Sequence, residues 1–434
     1  MKLNKIFKRL IFSGNIKNSA WIIGEQIFQM LLSLIVGMLS ARYLGPSNYG
    51  TLNYTASFVS FFINIASLCM EGVVIKKMVN YPDKEGVYLG SCILYRVIAS
   101  SLSMISIAII VYILNPGDML KLTLVVLQSF QLFFKSFNLF DSWFQRYLKS
   151  KYTSIGKMIA SLLVSGYKLF LLMTGKSIIW FAIANTLSDL VMAVMLYFFY
   201  RGEKGQKLRI NFAVGNEVLS ESYHFILSEI MSALYINMDR IMIGQIMDDS
   251  DVGYYIAANT VAGLWAFVPT AIINSYRPSI MELKKSGSSL YDRRLTQLFS
   301  IVIWVCVFFS VGSYIFAGLL VRVLFGETYI EAVGAFKILI WAQMLSVISV
   351  TRNIWIICED KNRYVKYYVG IGVVINLILN LALIPVIGID GASYATLATS
   401  VVVLLIAPIL FKETRGQMKY LLGGLTLSWM RNGE

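Results

Sequence analysis

Nine ionisable side chains lie within stretches of sequence that are otherwise apolar. Arg42, Arg96, Lys135, Lys168 and Arg240 are cations, and Glu25, Asp189, Glu229 and Asp239 are carboxylates. A charge at the centre of a bilayer costs at least about 2.5–3.5 kcal/mol, so it is kept where it meets a partner, an ion or a ligand. Cations spread over several spans suit an anion that bears phosphate. Carboxylates in the same setting can take up a proton or a cation. The plainer reading of any one cation is a salt bridge, with Glu25, Glu71, Asp189, Glu229 and Asp239 as available partners. For Arg42, Lys337 and Arg352, snorkelling to an interface is as reasonable as contact with a ligand.

The charges fall on polar stripes with helical spacing. Asn53, Ser57, Ser60, Asn64, Ser67 and Glu71 recur at intervals of three and four, as do Gln128, Gln131, Lys135, Asn138 and Ser142. Shorter stripes are Glu25, Gln29, Ser33 and Ser40; Arg96, Ser100 and Ser103; Ser154, Ser161, Ser165 and Lys168. In the second half they are Ser228, Ser232, Tyr235 and Asp239, then Asn259, Gly263, Thr270, Asn274 and Arg277. A serine stripe alone is explained by helix packing. Stripes that also hold Arg, Lys, Asp and Glu point to a central polar cavity.

Other chemistries lack their residues. There is no GxxxxGK[ST], HExxH or GxSxG, so neither a nucleotide-driven nor a hydrolytic site is expected. Cys69, Cys92, Cys306 and Cys358 form no CxxC pair, and the single His224 has no cysteine or second histidine nearby in sequence. No metal, cofactor or catalytic residue is therefore expected, and His224 reads as a polar group near a cytoplasmic mouth.

The elements that hold these side chains must be membrane helices. The 434 residues are 57% hydrophobic and only 14% charged, against about 25% charged in soluble domains. Spans of about 20 residues are expected near 18–40, 50–74, 88–113, 121–140, 155–174 and 178–200. After a basic linker, six more are expected near 222–247, 254–279, 296–320, 334–356, 367–387 and 391–411. The net charge of +14 resides in short clusters between these runs. That pattern is unlike a nucleic-acid patch and puts both termini in the cytoplasm by the positive-inside rule. Six spans per half make a parallel repeat, echoed by ARYLGPSNYG (Ala41 to Gly50) and DRIMIGQIMDDSDVGYY (Asp239 to Tyr255). The expected organisation is all-α: about 12 transmembrane helices in two pseudo-symmetric six-helix lobes around a central cavity. Its parts are an interfacial amphipathic segment (1–17), a first lobe (18–200), a cytoplasmic linker (201–220), a second lobe (221–411) and a cytoplasmic tail (412–434). No cleavable signal peptide is expected.

The segments SARYLGPSNYGTLNYTASF and NMDRIMIGQ…DVGYYIAANTVAGLWAFVPTAIINSYRPSI resemble the polysaccharide biosynthesis (O-antigen) flippase family. That family lies within the multidrug, oligosaccharidyl-lipid and polysaccharide exporter superfamily. The resemblance runs over essentially the whole chain. It implies translocation of undecaprenyl-diphosphate-linked oligosaccharide across a bacterial cytoplasmic membrane, through a cationic cavity between two lobes. Partners would be the lipid-linked oligosaccharide and membrane lipid, with a glycan polymerase and chain-length machinery as further partners, and neither nucleic acid nor nucleotide. Of the motif residues, Arg42, Asp239 and Arg240 carry over. On this reading Arg96 and Lys135 hold the diphosphate near the inner side, and Arg42 and Arg240 hand it outward. Glu25, Asp189, Glu229 and Asp239 are the carriers if an ion gradient drives the cycle. Two alternatives stand beside it: a cation-coupled multidrug exporter of the same superfamily, which carboxylates favour, and a membrane glycan polymerase, which the short outer turns disfavour.

Overall fold

A computed structural model of the chain describes residues 14–426. Residues 1–13 of the expected interfacial segment and 427–434 of the expected tail lie outside the described residues. By internal contacts the chain forms two compact units. The first takes residues up to Leu44 and then Thr51–Ala233, and the second takes Gly45–Gly50 and Leu234 onward.

The helices of the first unit are α1 (Gly14–Ser67), α2 (Glu71–Asn80), α3 (Glu85–Leu114), α4 (Met119–Lys135), α5 (Leu139–Arg146), α6 (Ser150–Thr174) and α7 (Ile178–Gly202). The long α8 (Phe212–Ile246) begins here and ends in the second unit. The second unit continues with α9 (Asp249–Gly263), α10 (Phe267–Lys285), α11 (Leu290–Ile315), α12 (Ala317–Phe325), α13 (Ala332–Cys358) and α14 (Val365–Val401). A π-helical turn leads to the short α15 (Ala407–Leu410), and α16 (Gln417–Leu425) closes the described chain. No strand occurs among the described residues.

Side-chain placement is inside-out, as a bilayer requires. On α3, Arg96, Ser100 and Ser103 are at most 4% exposed, while Ile98, Leu102, Ile105, Ile109 and Ile113 are 47–66% exposed. A continuous apolar face of that kind is unusual on a soluble monomer. Nine helical stretches among the described residues are long and apolar enough to span a membrane. Two of them, Gly24–Asn80 with 57 residues and Asn362–Leu410 with 49, have more than twice the length of one crossing. The break between crossings falls at Gly45 in the first and at Ile387–Gly388 in the second, and Gly24–Asn80 turns once more at Leu68–Cys69, before α2. Counting those two twice and adding α8, which is charged enough to miss the apolar criterion, gives the twelve expected crossings.

Both breaks have local causes. Gly45 has φ 70° and ψ 170° and is followed by Pro46, whose nitrogen has no hydrogen to donate. Gly388 has φ 61° and lies three residues after Pro385, in the sequence IGIDG at 387–391. The six residues Gly45–Gly50 are built into the second unit. There the two echo sequences meet reciprocally: a Cβ on Gly50 would collide with the Asp249 carbonyl oxygen, and one on Gly253 with the Pro46 carbonyl oxygen.

The stretch 201–220, expected as a cytoplasmic linker, is partly ordered against the first unit and partly helix. Tyr200 Oη donates to the Gln206 carbonyl (2.6 Å), Gly86 N donates to Gln206 Oε1 (3.1 Å), and Gln206 Nε2 donates to the Pro82 carbonyl (2.8 Å). Arg209 N donates to the Gly86 carbonyl (3.1 Å) and Asn211 N to Ser91 Oγ (2.9 Å). A Cβ on Gly86 would strike the Lys207 carbonyl oxygen, so the strap needs a glycine beneath it. Asn211 then caps α8, its Oδ1 accepting from Ala213 N at 2.9 Å. Lys77 pairs with Glu217 and Glu221 of α8. Nearby, buried Glu85 pairs with Arg146 and accepts from Trp143 Nε1 (2.7 Å) and Tyr147 Oη (2.6 Å).

Candidate functional site

The largest cavity described, about 940 Å³, lies wholly within the first unit. Five helices bring polar groups to it. The end of α1 supplies Asn64 and Ser67, and α2 supplies Glu71 and Lys76. Arg96 comes from α3, and Lys135 ends α4 beside Ser136 and Asn138. The first half of α8 adds Ser220, Glu221, His224 and Glu229. Leu68 and Cys69, both at φ 51°, make the tight turn that separates the α1 stripe from α2. This turn is why Glu71, one member of a continuous sequence stripe, sits on a different helix from Asn64 and Ser67.

Arg96 is only 4% exposed. Its Nη1 and Nη2 reach Glu71 Oε1 at 3.5 Å, well beyond the 2.7–2.9 Å typical of a charge-assisted bond. Its buried Nε has no hydrogen-bond partner among the described residues. The guanidinium is thus positioned and desolvated but loosely held, since the Glu71 side chain is 57% exposed. Lys76 and Glu221 make a second loose pair at 3.6 Å. Lys76, Arg96 and Lys135 therefore face Glu71, Glu221 and Glu229 across one cavity, so its charge is mixed rather than uniformly cationic.

The other stripe residues serve packing or stand elsewhere. Ser100 Oγ donates to the Leu132 carbonyl (2.9 Å), and Gln128 Nε2 donates to the Leu52 carbonyl (3.0 Å), tying α3, α4 and α1 together. Lys168 lines a second cavity of about 410 Å³ in the same unit, between α1, α6 and α7. Asp189 on α7 is partly buried, with Lys135 as the cation that acts on it. Glu25 is buried on α1; the charges that act on it are Lys157 and Asp141, themselves paired at 3.6 Å. Exposed Arg42, just before the Gly45 break, and half-buried Arg240 line neither cavity.

Asp239 lies in the second unit and is closed in. Tyr255 Oη and Thr396 Oγ1 each donate to its Oδ2 at 2.6 Å, and Asn380 Nδ2 donates to its Oδ1 at 2.6 Å. Asn380 also donates to Asn376 Oδ1 at 3.1 Å. Of the nine residues singled out by sequence, the structure brings Arg96, Lys135 and Glu229 into one cavity. Sequence reasoning missed Lys76 and Glu221 as cavity residues because each reads as a loop charge, and it gave His224 no role beyond a polar group at a mouth. The signal that marks Glu221 and His224 is the helical spacing Glu217, Glu221, His224, which starts in the expected linker (201–220) and runs on into the expected second lobe.

Comparison with known proteins agrees with this architecture. The polysaccharide biosynthesis protein family matches residues 16–284, more than half of the chain. A probable flippase, AglR, of Haloferax volcanii is 28% identical over 164 residues, which are 37% of this chain and 34% of that protein. The matched stretch thus spans about a third of that relative's length. Among solved structures, the lipid II flippase MurJ in an inward closed conformation superposes with a TM-score of 0.73 at 14% identity, over 96% of this chain and 93% of that one. A multidrug resistance MATE family transporter of the MOP superfamily, inward-facing, gives 0.66 at 12% identity, over 94% and 96%. At these identities the likeness is one of fold. Multi-pass helices, the family match and the shared fold agree that the chain is a membrane protein belonging to the polysaccharide biosynthesis protein family.

Proposed function

We propose that the protein is a flippase that moves undecaprenyl-diphosphate-linked oligosaccharide, of O-antigen or capsule type, from the cytoplasmic to the outer leaflet of a bacterial cytoplasmic membrane. Both termini face the cytoplasm, and the cycle is one of alternating access. The observation that carries this reading is Arg96: a buried guanidinium with an unused Nε, loosely held beside Lys135 and Lys76 in a cavity large enough for a sugar diphosphate. Arginine and lysine together suit a diphosphate, which offers several oxygens and more than one negative charge. The polyprenyl tail stays in lipid. Arg42 and Arg240 serve the outward half of the path, and a glycan polymerase with its chain-length machinery receives the product. Asp239, enclosed by neutral donors, is the best placed of the four carboxylates to bind a proton or a monovalent cation that drives the cycle. Exchanging Arg96 and Lys135 together for Gln, at matched expression, abolishes surface glycan and leaves lipid-linked repeat units on the cytoplasmic face. Normal surface glycan in that double variant refutes the assignment.

A specific observation favours a second reading, cation-coupled export of multiple drugs. Glu71, Glu221 and Glu229 line the same cavity and could receive an organic cation. Resistance assays separate the two: a raised tolerance to cationic dyes that is lost in Glu229→Gln, with surface glycan unchanged in a null strain, selects the exporter.

A further inference from the structure

The second cavity of the first unit differs in kind from the first. Of its polar lining, Gln29 and Ser33 come from α1, Ser165 and Lys168 from α6, and Asn185 and Ser188 from α7. Lys168 is the single charge among the lining residues. No ion pair or hydrogen bond is made by Lys168 among the described residues, and no carboxylate acts on it. The side chains of Gln29, Ser165, Asn185 and Ser188 likewise make no hydrogen bond to protein. Other helical serines of this chain, Ser40, Ser232 and Ser400 among them, spend the hydroxyl on the carbonyl one turn back. Ser165 does not, and its residue is only 9% exposed. Polar groups that line a cavity without a protein partner are open to water or to a ligand.

The chemistry of the vacant valences identifies the ligand class. Two amides and several hydroxyls offer donors and acceptors in neutral pairs, which is what a polyhydroxylated ring needs. One ammonium neutralises one negative charge. A diphosphate would bring more charge than a single lysine offsets, whereas a carboxylate would bring one. The volume of about 410 Å³ lies at the lower end of small-molecule sites. We propose that this cavity is a subsite for a single acidic sugar, a hexuronate unit of the carried glycan, with Lys168 on its carboxylate and Gln29, Asn185, Ser165 and Ser188 on its ring oxygens. The proposal rests on the flippase reading and assigns it a substrate class: glycans with a carboxylate-bearing sugar.

The test uses the purified full chain in detergent and the pair p-nitrophenyl glucuronide and p-nitrophenyl glucoside, which differ only by the carboxylate. The expected result is that the wild type binds the glucuronide about tenfold more tightly than the glucoside. Lys168→Gln abolishes that difference, and Gln29→Ala with Asn185→Ala weakens both probes. Acetate and inorganic phosphate, as free anions without a sugar ring, compete poorly. Equal binding of the two glycosides by the wild type overturns the proposal, as does a preference for the glucuronide that survives in Lys168→Gln. Acetate or phosphate competing as well as the glucuronide overturns the sugar assignment and leaves a simple anion site. Monodisperse elution of the Lys168→Gln variant and unchanged binding of inorganic pyrophosphate guard against a folding defect. Binding is read without transport, so a glucuronide preference in a protein that fails the surface-glycan test separates this proposal from the flippase reading.

Discussion

The two units keep their membrane charges in opposite states. In the first, Arg96 and Glu71 face each other at 3.5 Å across a cavity, with donor capacity left over. In the second, Asp239 accepts three bonds of 2.6 Å and touches no cation among the described residues. Arg352, also in the second unit, donates to the Val403 carbonyl at 2.6 Å and lies over the Tyr368 ring at 5.0 Å, although its buried Nε, like that of Arg96, has no partner among the described residues. A loosely paired charge beside a cavity can exchange its partner for a ligand at small cost. A carboxylate that is fully hydrogen-bonded and enclosed holds its neighbours in place, and its charge can change only if they rearrange. On the proposed function, the residues assigned to ligand contact and to coupling therefore belong to different units.

This contrast can be broken most directly at Asp239. Asp239→Ala leaves Tyr255, Thr396 and Asn380 without their acceptor, and should cost about 3–5 kcal/mol of stability, read as a large fall in melting temperature in detergent. A shift near zero would mean that the network is not holding the second unit. Glu85→Gln in the first unit is the internal standard: it unpairs buried Arg146, and a loss of about 3 kcal/mol is expected. By contrast, Glu71→Gln should change stability by less than about 1 kcal/mol, because the pair is long and one partner is exposed. Its effect belongs on binding, with pyrophosphate affinity rising severalfold once Arg96 has no competing carboxylate. Unchanged or weaker binding would place Glu71 outside the site. The smallest effect is at the surface. Hydrogen bonds from Lys149 and Tyr152 hold the Glu203 carboxyl below its ordinary range. A lowered carboxylate contributes stability above its unfolded-state value of about 4.3 and loses it as pH falls through the folded value. The melting temperatures of wild type and Glu203→Gln should therefore differ slightly near neutral pH and converge in acid, and added salt should shrink the gap.

Much of this architecture is legible in the sequence, for reasons that differ by element. Apolar runs of about 20 residues can satisfy their backbone in lipid only as helices, so the crossings follow from composition. Gly45–Pro46 and the IGIDG sequence mark the two breaks, because glycine and proline act on backbone geometry locally. The stripe bearing Arg96, Ser100 and Ser103 is buried as its spacing requires. What the sequence does not reveal is which stripes share a cavity. Lys168 and Lys135 lie on similar stripes, yet the packing of α6 against α1 and α7 gives Lys168 a cavity of its own. The strap over α3 was hidden for another reason. Its basic composition reads as solvated, and its docking depends on Gly86 and Gly90, which present bare backbone rather than side chains. Gly86, Gly90 and Ser91 at one face of α3 are the signal that would have exposed it.

The crossing at Gly45–Gly50 also bears on how the gene can be divided. Those six residues are encoded within the first half but folded into the second unit, where Pro46 and Gly50 pack against Gly253 and Asp249. A cut anywhere in the strap would produce a C-terminal polypeptide that lacks a piece of its own structure and an N-terminal one with that piece left unhoused. The second unit is therefore incomplete until the first half of the gene has been read.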